Sequence, residues 1–319
     1  MPNKLLYVDL QGSKSLPDAA ALRVAARGYE FVAVTDPRAA YAAIESAKNL
    51  SVVVSNVAEL RIFAAAHEKF PMVKNILLTE ETMDQYSKAL EGKDSQLLSH
   101  IIANRFPQSE WTIHELRATL QKLLTRDIFG IEKYLAPTSQ IVDLEVKRSD
   151  DREYLNNQVM RYADQKGLSQ HIGKLAFGIT EELLMNAIYD APVHGGKHRY
   201  GHLPRTVPVN LEPNEYAKLS FGCDDIVFAI AVQDPFGSLS RDTVFSYLRK
   251  VLRRNDSTNL IDEKKGGAGL GLFKILYSCH SMVCNVAPGK TTEVLALIDI
   301  RQQLRDFSKM ARSIHFFQV

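Results

Sequence analysis

Glu182 and Asn186 are the first residues whose types and spacing could do chemistry. They lie four positions apart in Glu181-Glu182-Leu-Leu-Met-Asn186-Ala187, inside a predicted helix, so both side chains emerge on one face and can address one ligand. An Asn carbonyl oxygen suits Mg²⁺, and a neighbouring carboxylate can act as a general base toward an attacking hydroxyl. Taken alone, the pair also fits a solvated helix face.

Asp234 leaves a predicted strand in the sequence Val232-Gln-Asp234-Pro-Phe-Gly237. A carboxylate held there can accept a hydrogen bond from an exocyclic amine, and Gly237 would let a flat base approach the backbone. An ordinary Asp-Pro turn is the alternative interpretation. Thr291 and Thr292 later enter another predicted strand, where Thr is also simply a strand former.

The densest glycine segment is Gly266-Gly267-Ala268-Gly269-Leu270-Gly271-Leu272, which runs into a predicted helix over Phe273–Cys279. Glycines at a helix N-terminus leave backbone N–H groups open to anionic oxygens, and the helix dipole favours negative charge there. The segment lacks the lysine of a Walker loop and the strand that precedes a dinucleotide fingerprint. A flexible hinge is the alternative interpretation.

The elements that must position these residues fall into two halves. Residues 1–126 alternate apolar strands with helical patterns, and runs such as Val52-Val53-Val54 indicate strands that are covered on both faces. This alternation predicts a doubly wound α/β domain. The predicted strands are Lys4–Leu10, Glu30–Asp36, Leu50–Val57, Asn75–Thr79 and Leu97–Ala103, and the predicted helices are Leu16–Arg27, Pro37–Lys48, Ala58–Phe70, Glu80–Leu90 and Thr112–Thr125.

The second half, residues 152–319, shows long helices combined with strand pairs, which predicts an α+β sandwich. Residues 127–151, with Pro137 and a charged run, are predicted to be a linker. The predicted helices are Arg152–Lys166, Ile172–Tyr189, one after an N-cap at Ser240, and Phe273–Cys279; the predicted strands are Ala217–Gly222, Ile226–Val232, Ser281–Ala287, Glu293–Leu297 and Ser313–Phe317.

The first half resembles a response-regulator receiver domain in the order of its units. Asp9 follows the first strand, but only as a single acidic residue, and Asn56 stands where a receiver has its phosphorylated Asp. Thr79 fits the fourth strand, whereas residues 103–106 supply no matching lysine. Because an amide cannot act as the nucleophile, we expect a pseudo-receiver that serves as a regulatory or docking module. Another flavodoxin-like domain is the alternative.

In their order, the four motifs of the second half resemble the ATP-binding domain that gyrase, heat-shock chaperones, histidine kinases and MutL share (GHKL). The resemblance implies bound Mg-ATP, with Asn186 ligating Mg²⁺, Asp234 reading the adenine amine and residues 240–265 forming a lid. One departure is Asp-Pro-Phe-Gly-Ser where the family has Asp-x-Gly-x-Gly. The implied nucleotide-binding residues are Asn186, Asp234, Gly237, Gly267, Gly269, Leu270, Gly271, Thr291 and Thr292.

Residues 155–187 look most like anti-sigma-factor serine kinases. That resemblance implies Glu182 as the catalytic base and a regulatory protein partner, similar to a sigma factor or its antagonist. The family's N box soon continues to His-Gly, whereas here His194-Gly195 follows only after Tyr189-Asp190. The His-rich insertion Val193–His202 is predicted to be a loop without a metal.

Three functions stay open at this point. The first is transfer of a phosphoryl group from Mg-ATP to Ser or Thr of a partner protein. The second is a non-catalytic, ATP-gated interaction switch, and the third is a histidine kinase that lacks its own acceptor domain. A homodimer is also left open.

Charge and composition exclude other classes. Lys and Arg total 39 against 37 Asp and Glu, a formal charge of +2, which argues against a nucleic-acid or anionic-membrane binder. Apolar runs are too short for a spanning helix, and the first residues do not predict a signal peptide. Three cysteines without a CxxC pair fit a reducing compartment, so we expect a cytoplasmic location.

Overall fold

The chain forms two compact units. A computed structural model describes residues 3–10, 19–56, 60–86, 93–104, 109–195, 197–255, 269–301 and 310–319. The first unit is Met1–Asp127 with Lys309–His315, and the second is Ile128–Ser308 with Phe316–Val319.

The first unit contains a parallel sheet with the strand order β2-β1-β3-β4-β5. This order is that of flavodoxin-like folds, as the alternating pattern predicts. Helix α1 packs against α5 and α2 packs against α3, consistent with helices on both faces. The elements are β1 (Asn3–Val8), α1 (Ala19–Ala25), β2 (Tyr29–Val34), α2 (Pro37–Ser46), β3 (Val52–Ser55), α3 (Arg61–Lys69), β4 (Lys74–Thr79), α4 (Met83–Tyr86), β5 (Leu98–Ala103) and α5 (Ser109–Thr125).

Continuous apolar strands form the core of this unit. Val52, Val53 and Val54 are all buried, which confirms that β3 is covered on both faces. Asp36 caps α2 because its Oδ1 accepts the Ala39 N–H at 2.9 Å. Strand β2 therefore ends at Val34, two residues before the predicted end at Asp36. The predicted helices over 16–27 and 80–90 extend partly outside the described residues.

The residues predicted to replace a phosphorylation site meet at one end of this sheet. Asn56 donates from Nδ2 to Oδ1 of Asp9 at 2.6 Å, and the Leu10 N–H donates to Asn56 Oδ1 at 3.1 Å. Asn104, which follows β5, donates from Nδ2 to Oε1 of Glu80 at 3.1 Å. Asp9 and Glu80 therefore each accept a hydrogen bond from an amide side chain.

The second unit contains an antiparallel sheet with the strand order β11-β12-β10-β9-β6 and helices packed against it. Helix α7 lies on β10 and β12 and also contacts α6 and α9. The elements are β6 (Ile141–Val146), α6 (Arg152–Gln165), α7 (Gln170–Met185), β7 (Val193–His194), β8 (Lys197–His198), β9 (Ala217–Cys223), β10 (Val227–Asp234), α8 (Arg241–Asn255), α9 (Gly269–Ser278), β11 (Ser281–Ala287) and β12 (Thr291–Asp299).

The stretch 127–151, predicted to be a linker, contains the edge strand β6. Its six residues pair antiparallel with β9, from Ile141 opposite Gly222 to Val146 opposite Ala217. Gly222 permits this close pairing, since a Cβ there would lie 2.9 Å from a Leu135 methyl carbon. The strand signal is present in the sequence, since Val142, Leu144 and Val146 alternate with two exposed acidic residues, but Pro137 and the charged run favoured a linker.

Two further elements differ from the sequence expectations. Helix α9 begins at Gly269, four residues before the predicted start at Phe273. The insertion predicted to be a loop contains a short hairpin, in which Val193 pairs with His198 and His194 with Lys197. Within the described ranges, no group of three or more His, Cys, Asp or Glu side chains could hold a metal ion.

Strand β13 (Ser313–Gln318) is the last element. In the first unit, Ile314 and His315 pair antiparallel with Ile101 and His100 of β5. Ser313 donates to Glu115 Oε2 at 2.8 Å, so a buried polar contact fixes this end of the chain. All three cysteines are buried, and none of them forms a disulfide bond. Among helices of the described residues, none has both the length and the apolarity needed to cross a bilayer.

Candidate functional site

The second unit contains a cavity of about 280 Å³ between α7, α8, α9 and the sheet. It brings together three residues that the sequence motifs singled out, namely Asn186, Asp234 and Thr292. The lining residues are Leu183, Asn186, Ala187, Asp190, Ala191, His198, Val232, Asp234, Ser238, Leu239, Thr243, Tyr247, Leu272, Thr292 and Val294.

Asn186 stands where the helix changes its geometry. Helix α7 ends at Met185, and residues 186–190 form one π-helical turn, in which the Ala191 N–H donates to the Asn186 carbonyl at 2.8 Å. Such wide turns recur at functional sites because they re-aim side chains. The Nδ2 atom of Asn186 is buried and has no hydrogen-bond partner among the described residues.

Gly271 brings the glycine motif against this part of α7. A Cβ at Gly271 would lie 2.8 Å from Glu182 Oε2 and 3.2 Å from Asn186 Oδ1. Glycine therefore leaves room for both side-chain ends, whereas a Cβ at this position would displace the Glu182 carboxylate. The predicted shared face of Glu182 and Asn186 is thus directed at the start of α9.

The two glutamates of the motif have different partners. Glu181 accepts hydrogen bonds from Arg152 Nη1 at 2.8 Å and Asn156 Nδ2 at 2.9 Å, which ties α7 to α6. Glu182 accepts from Lys274 Nζ at 2.8 Å through Oε1. Glu181 therefore serves packing, whereas Glu182 lies beside the glycine motif and the exposed Lys274.

Asp234 ends β10 with its side chain buried. Burial raises the pKa of this carboxyl from 3.8 to about 7, although the N–H groups of Phe236 and Gly237 act in the opposite direction. The Phe236 N–H donates to Oδ1 at 3.0 Å, so the turn that was the alternative interpretation of this segment is present as well. The buried Asp234 carboxylate thus lines the cavity, and no cation of the described residues forms an ion pair with it.

Thr292 and Thr291 point to different surroundings at the start of β12. Thr292 lines the cavity, is 3% exposed, and its Oγ1 has no hydrogen-bond partner within the described residues. Thr291 is half-buried and is not among the lining residues. Only one of the two predicted threonines therefore contributes to the cavity.

Gly237 is not among the residues that line the cavity, and the backbone conformation explains why a glycine stands at this position. Its φ of +61° suits glycine, and a Cβ would lie 2.1 Å from the Ala287 carbonyl oxygen. The Gly289 N–H donates to the Gly237 carbonyl at 3.2 Å. Gly237 thus closes the segment after Asp234 onto the β11–β12 turn, rather than leaving room for a base as predicted.

The structure covers only part of the predicted phosphate loop. Gly269, Leu270 and Gly271 form the first turn of α9 rather than a loop. Leu272 follows them and lines the cavity. Gly267 lies outside the described residues, as do residues 256–265 of the predicted lid.

The described part of the predicted lid is helix α8. Ser240 caps it as predicted, because its Oγ accepts the Thr243 N–H at 3.1 Å. Thr243 and Tyr247, one turn apart, line the cavity. Sequence reasoning missed both, although their i, i+4 spacing on an amphipathic helix was a usable signal.

A second group that sequence reasoning missed comes from the insertion after α7. Asp190 and His198 line the cavity, and the His198 Nδ1 lies 2.6 Å from the Asp190 carbonyl oxygen. Arg205 pairs with Asp190 at 2.7 Å and stacks over Tyr189. Asp190 follows Asn186 by four residues, so its position on the same helical face could have been foreseen.

Glu215 holds this insertion in place through hydrogen bonds to its side chains. Its carboxylate is fully buried and accepts hydrogen bonds from Arg199, Tyr200, the Glu212 N–H and His194 at 2.8 to 2.9 Å. Burial disfavours the ionised carboxylate, yet these hydrogen bonds together lower the pKa of Glu215. The segment is therefore held by a charged network and not by apolar packing alone.

Comparisons with known proteins give only distant likenesses. No protein-family model matches the chain, and no curated protein matches it. A chain in the crystal structure of the SiaB–SiaC complex from Pseudomonas aeruginosa is 14% identical over 56% of this chain and 98% of its own, with a TM-score of 0.33. The RcsB response regulator from Salmonella typhimurium is 14% identical over 58% of this chain and 91% of its own, with a TM-score of 0.28. Both TM-scores lie below 0.5, so the proposals that follow rest on the cavity and its residues.

Proposed function

We propose that the second unit binds Mg-ATP in this cavity and transfers the γ-phosphoryl group to Ser or Thr of a partner protein. One observation carries the proposal: the buried Asn186 Nδ2 and Thr292 Oγ1 share a cavity with the buried Asp234, and neither has a partner among the described residues. A buried polar group without a partner costs about 1–3 kcal/mol. A ligand that supplies the missing partners removes this cost.

Adenine suits the end of the cavity at Asp234 and Thr292. An ionised Asp234 accepts a hydrogen bond from the exocyclic amine, and the Thr292 hydroxyl donates to a ring nitrogen. Val232, Leu272 and Val294 add apolar surface for the flat base. These groups favour a purine with an amine over one with a carbonyl at the same position.

Asn186 and the start of α9 suit the metal and the phosphates. Asn186 Oδ1 is an oxygen ligand of the kind that Mg²⁺ takes together with phosphate oxygens. When bound, Mg²⁺ would neutralise the charge that develops on the transferred phosphoryl group. The N–H groups of the first turn of α9, at Gly269 and Gly271, have no acceptor within the helix itself and favour anionic oxygens.

Glu182 would assist the transfer step itself. The oxygen of the acceptor hydroxyl attacks the γ-phosphorus, the bond from that phosphorus to the β–γ bridging oxygen breaks, and ADP leaves. The hydroxyl proton passes to the Glu182 carboxylate. Such transfer depends mainly on positioning and charge stabilisation, so a single carboxylate near the hydroxyl suffices.

One contact favours the runner-up, a non-catalytic ATP-gated switch. Lys274 binds Glu182 Oε1 at 2.8 Å, so an acceptor hydroxyl must displace this ammonium group before it can reach that oxygen. In that case α8, with Thr243 and Tyr247 on the cavity, would couple nucleotide binding to partner exchange. We propose for either function that the first unit acts as a regulatory or docking module.

Titration calorimetry and phosphotransfer separate these functions. Wild-type protein should bind Mg-ATP, Asn186→Ala should lose the magnesium-dependent part of the affinity, and Glu182→Gln should bind normally. With labelled ATP and whole-cell lysate, wild-type protein should label an acceptor protein, whereas Glu182→Gln should lose at least tenfold in rate. Binding without labelling or hydrolysis by wild-type protein supports the switch, and no binding at millimolar Mg-ATP overturns both functions.

Lys274→Ala tests the ion pair. If Glu182 is a base, freeing its carboxylate should preserve or raise phosphotransfer. For Glu182→Gln the matched control is Glu153→Gln, which makes the same change at an exposed carboxylate at the start of α6 and should change neither binding nor transfer.

A further inference from the structure

We infer that His198 binds a ribose hydroxyl of the nucleotide and makes the site selective for ribonucleotides. This inference rests on the proposed nucleotide site and adds a residue from outside its motifs. His198 is one of the cavity-lining residues, although it lies 12 positions after Asn186 in an insertion that was predicted to be a solvated loop.

The backbone holds the His198 ring in one tautomer. Its Nδ1 lies 2.6 Å from the Asp190 carbonyl oxygen. A carbonyl oxygen can only accept, so Nδ1 carries the hydrogen. In the neutral imidazole, Nε2 is then an acceptor, and because His198 is exposed at the cavity, this nitrogen can accept from water or from a ligand that displaces the water.

The surrounding chain fixes this position. Val193 pairs with His198 across the hairpin, and a Cβ at Gly201 would lie 3.2 Å from the His198 Cβ. Arg199, the next residue, donates to the fully buried Glu215 at 2.8 Å. His198 is therefore attached to an anchored segment rather than to a free loop.

The chemistry of ATP leaves one kind of donor for this nitrogen. Phosphates at neutral pH offer acceptors only, so the donors of ATP itself, apart from waters held by Mg²⁺, are the adenine amine and the two ribose hydroxyls. Asp234 accounts for the amine. The insertion also packs beside the segment that follows Asp234, because Ser238 donates to the Ala191 carbonyl at 3.3 Å and the rings of His194 and Phe236 lie 6.1 Å apart. A sugar hydroxyl next to the base thus fits His198.

The test removes each partner of the proposed hydrogen bond in turn. Calorimetric affinities are measured for Mg-ATP, Mg-2′-deoxyATP and Mg-3′-deoxyATP with wild-type protein, His198→Ala and the control His202→Ala. Wild-type protein and the control should bind one deoxynucleotide about three- to tenfold more weakly than ATP, whereas His198→Ala should bind it and ATP equally. His202 is exposed in the same insertion but does not line the cavity, so it matches the chemistry of the change.

Each outcome decides the inference. Equal affinity of wild-type protein for all three nucleotides overturns it while leaving the nucleotide site intact, and so does discrimination that persists in His198→Ala. His198→Gln keeps a side chain of similar size, so it controls for an affinity loss caused by a collapsed hairpin. It should also lower the discrimination between ATP and the deoxynucleotide. If wild-type protein binds none of the nucleotides, the proposed function fails, and the inference fails with it.

Discussion

Asp234 and Thr292 are opposite residues of the antiparallel strands β10 and β12. Opposite residues in such a pair project to the same face, so an acceptor and a donor stand side by side at the cavity. The next pair, Gln233 and Glu293, projects to the other face, where Glu293 accepts from Asn285 and from the Gly130 N–H at 2.8 to 3.1 Å. One strand register therefore separates a binding face from a structural face.

Thr292→Val should separate binding from stability. The change removes a buried hydroxyl without a described partner, so the free energy of unfolding should rise by about 1 kcal/mol, as chemical denaturation would show. The affinity for Mg-ATP should fall about three- to tenfold, because the hydroxyl no longer donates to the base. Thr291→Val, one residue away and off the cavity, should leave the affinity unchanged. Equal effects of the two substitutions on affinity would contradict the assignment.

Asp234 should make stability depend on pH in a defined direction. Because burial raises its pKa from 3.8 to about 7, the protonated form contributes stability that is fully present below pH 4 and is lost as the pH rises through about 7. Asp234→Asn lacks this titration, so its melting temperature minus that of wild-type protein should increase as the pH rises from 5 to 8. Parallel melting curves for the two proteins across this range would refute the prediction.

The same carboxyl should couple nucleotide binding to proton release. An amine donor favours the ionised form, so wild-type protein should bind Mg-ATP more tightly at pH 8 than at pH 6, with protons released on binding. Calorimetry in buffers of different ionisation enthalpy measures this release. Asp234→Asn keeps the pH dependence of the nucleotide itself and is therefore the baseline from which the contribution of Asp234 is read.

Two glycines of neighbouring helices should respond oppositely to alanine. Gly178 lies in the middle of α7, and a Cβ there would meet no described atom within 4 Å, so Gly178→Ala should stabilise the protein by about 1 kcal/mol. Gly271→Ala places a methyl group 2.8 Å from Glu182 Oε2 and should weaken Mg-ATP binding or lower the melting temperature. Thermal denaturation with and without nucleotide measures both effects. A Gly271→Ala protein with unchanged binding and stability would show that α9 need not approach α7 so closely.

Asn56→Asp should recreate a carboxylate pair in the first unit. Asn56 now donates to Asp9 at 2.6 Å, so the substitution sets two like charges against each other and should cost about 1–2 kcal/mol at neutral pH. Millimolar Mg²⁺ or a lower pH should restore the lost stability, since either neutralises the pair. Asn157→Asp adds the same charge at an exposed site of α6 and should show no magnesium effect. Wild-type protein treated with acetyl phosphate should gain no stable phosphoryl group in residues 1–127.

Much of the fold follows from local patterns. The five parallel strands of the first unit were predictable because apolar runs such as Val52–Val54 are long, uninterrupted and separated by helical spacing. Strand β6 was missed although Val142, Leu144 and Val146 alternate with acidic residues, because the charged run that follows is equally typical of a linker. The early start of α9 was missed because glycine has a low helix propensity. The reason for glycine at 271 is its close contact with Glu182, which is visible only in the tertiary structure.

The sequence by itself determined which residues could form a nucleotide site and in what order, since the spacing of Glu182 and Asn186 and the glycines after residue 265 are local features. Only the tertiary structure decided that Asn186, Asp234 and Thr292 share one cavity, that Thr291 and Gly237 lie outside it, and that His198 lines it. Periodicity specifies the face of a helix or strand, but which faces meet depends on contacts between segments far apart in the chain. A buried atom without a partner, such as Thr292 Oγ1, exists only once those segments have excluded water from it.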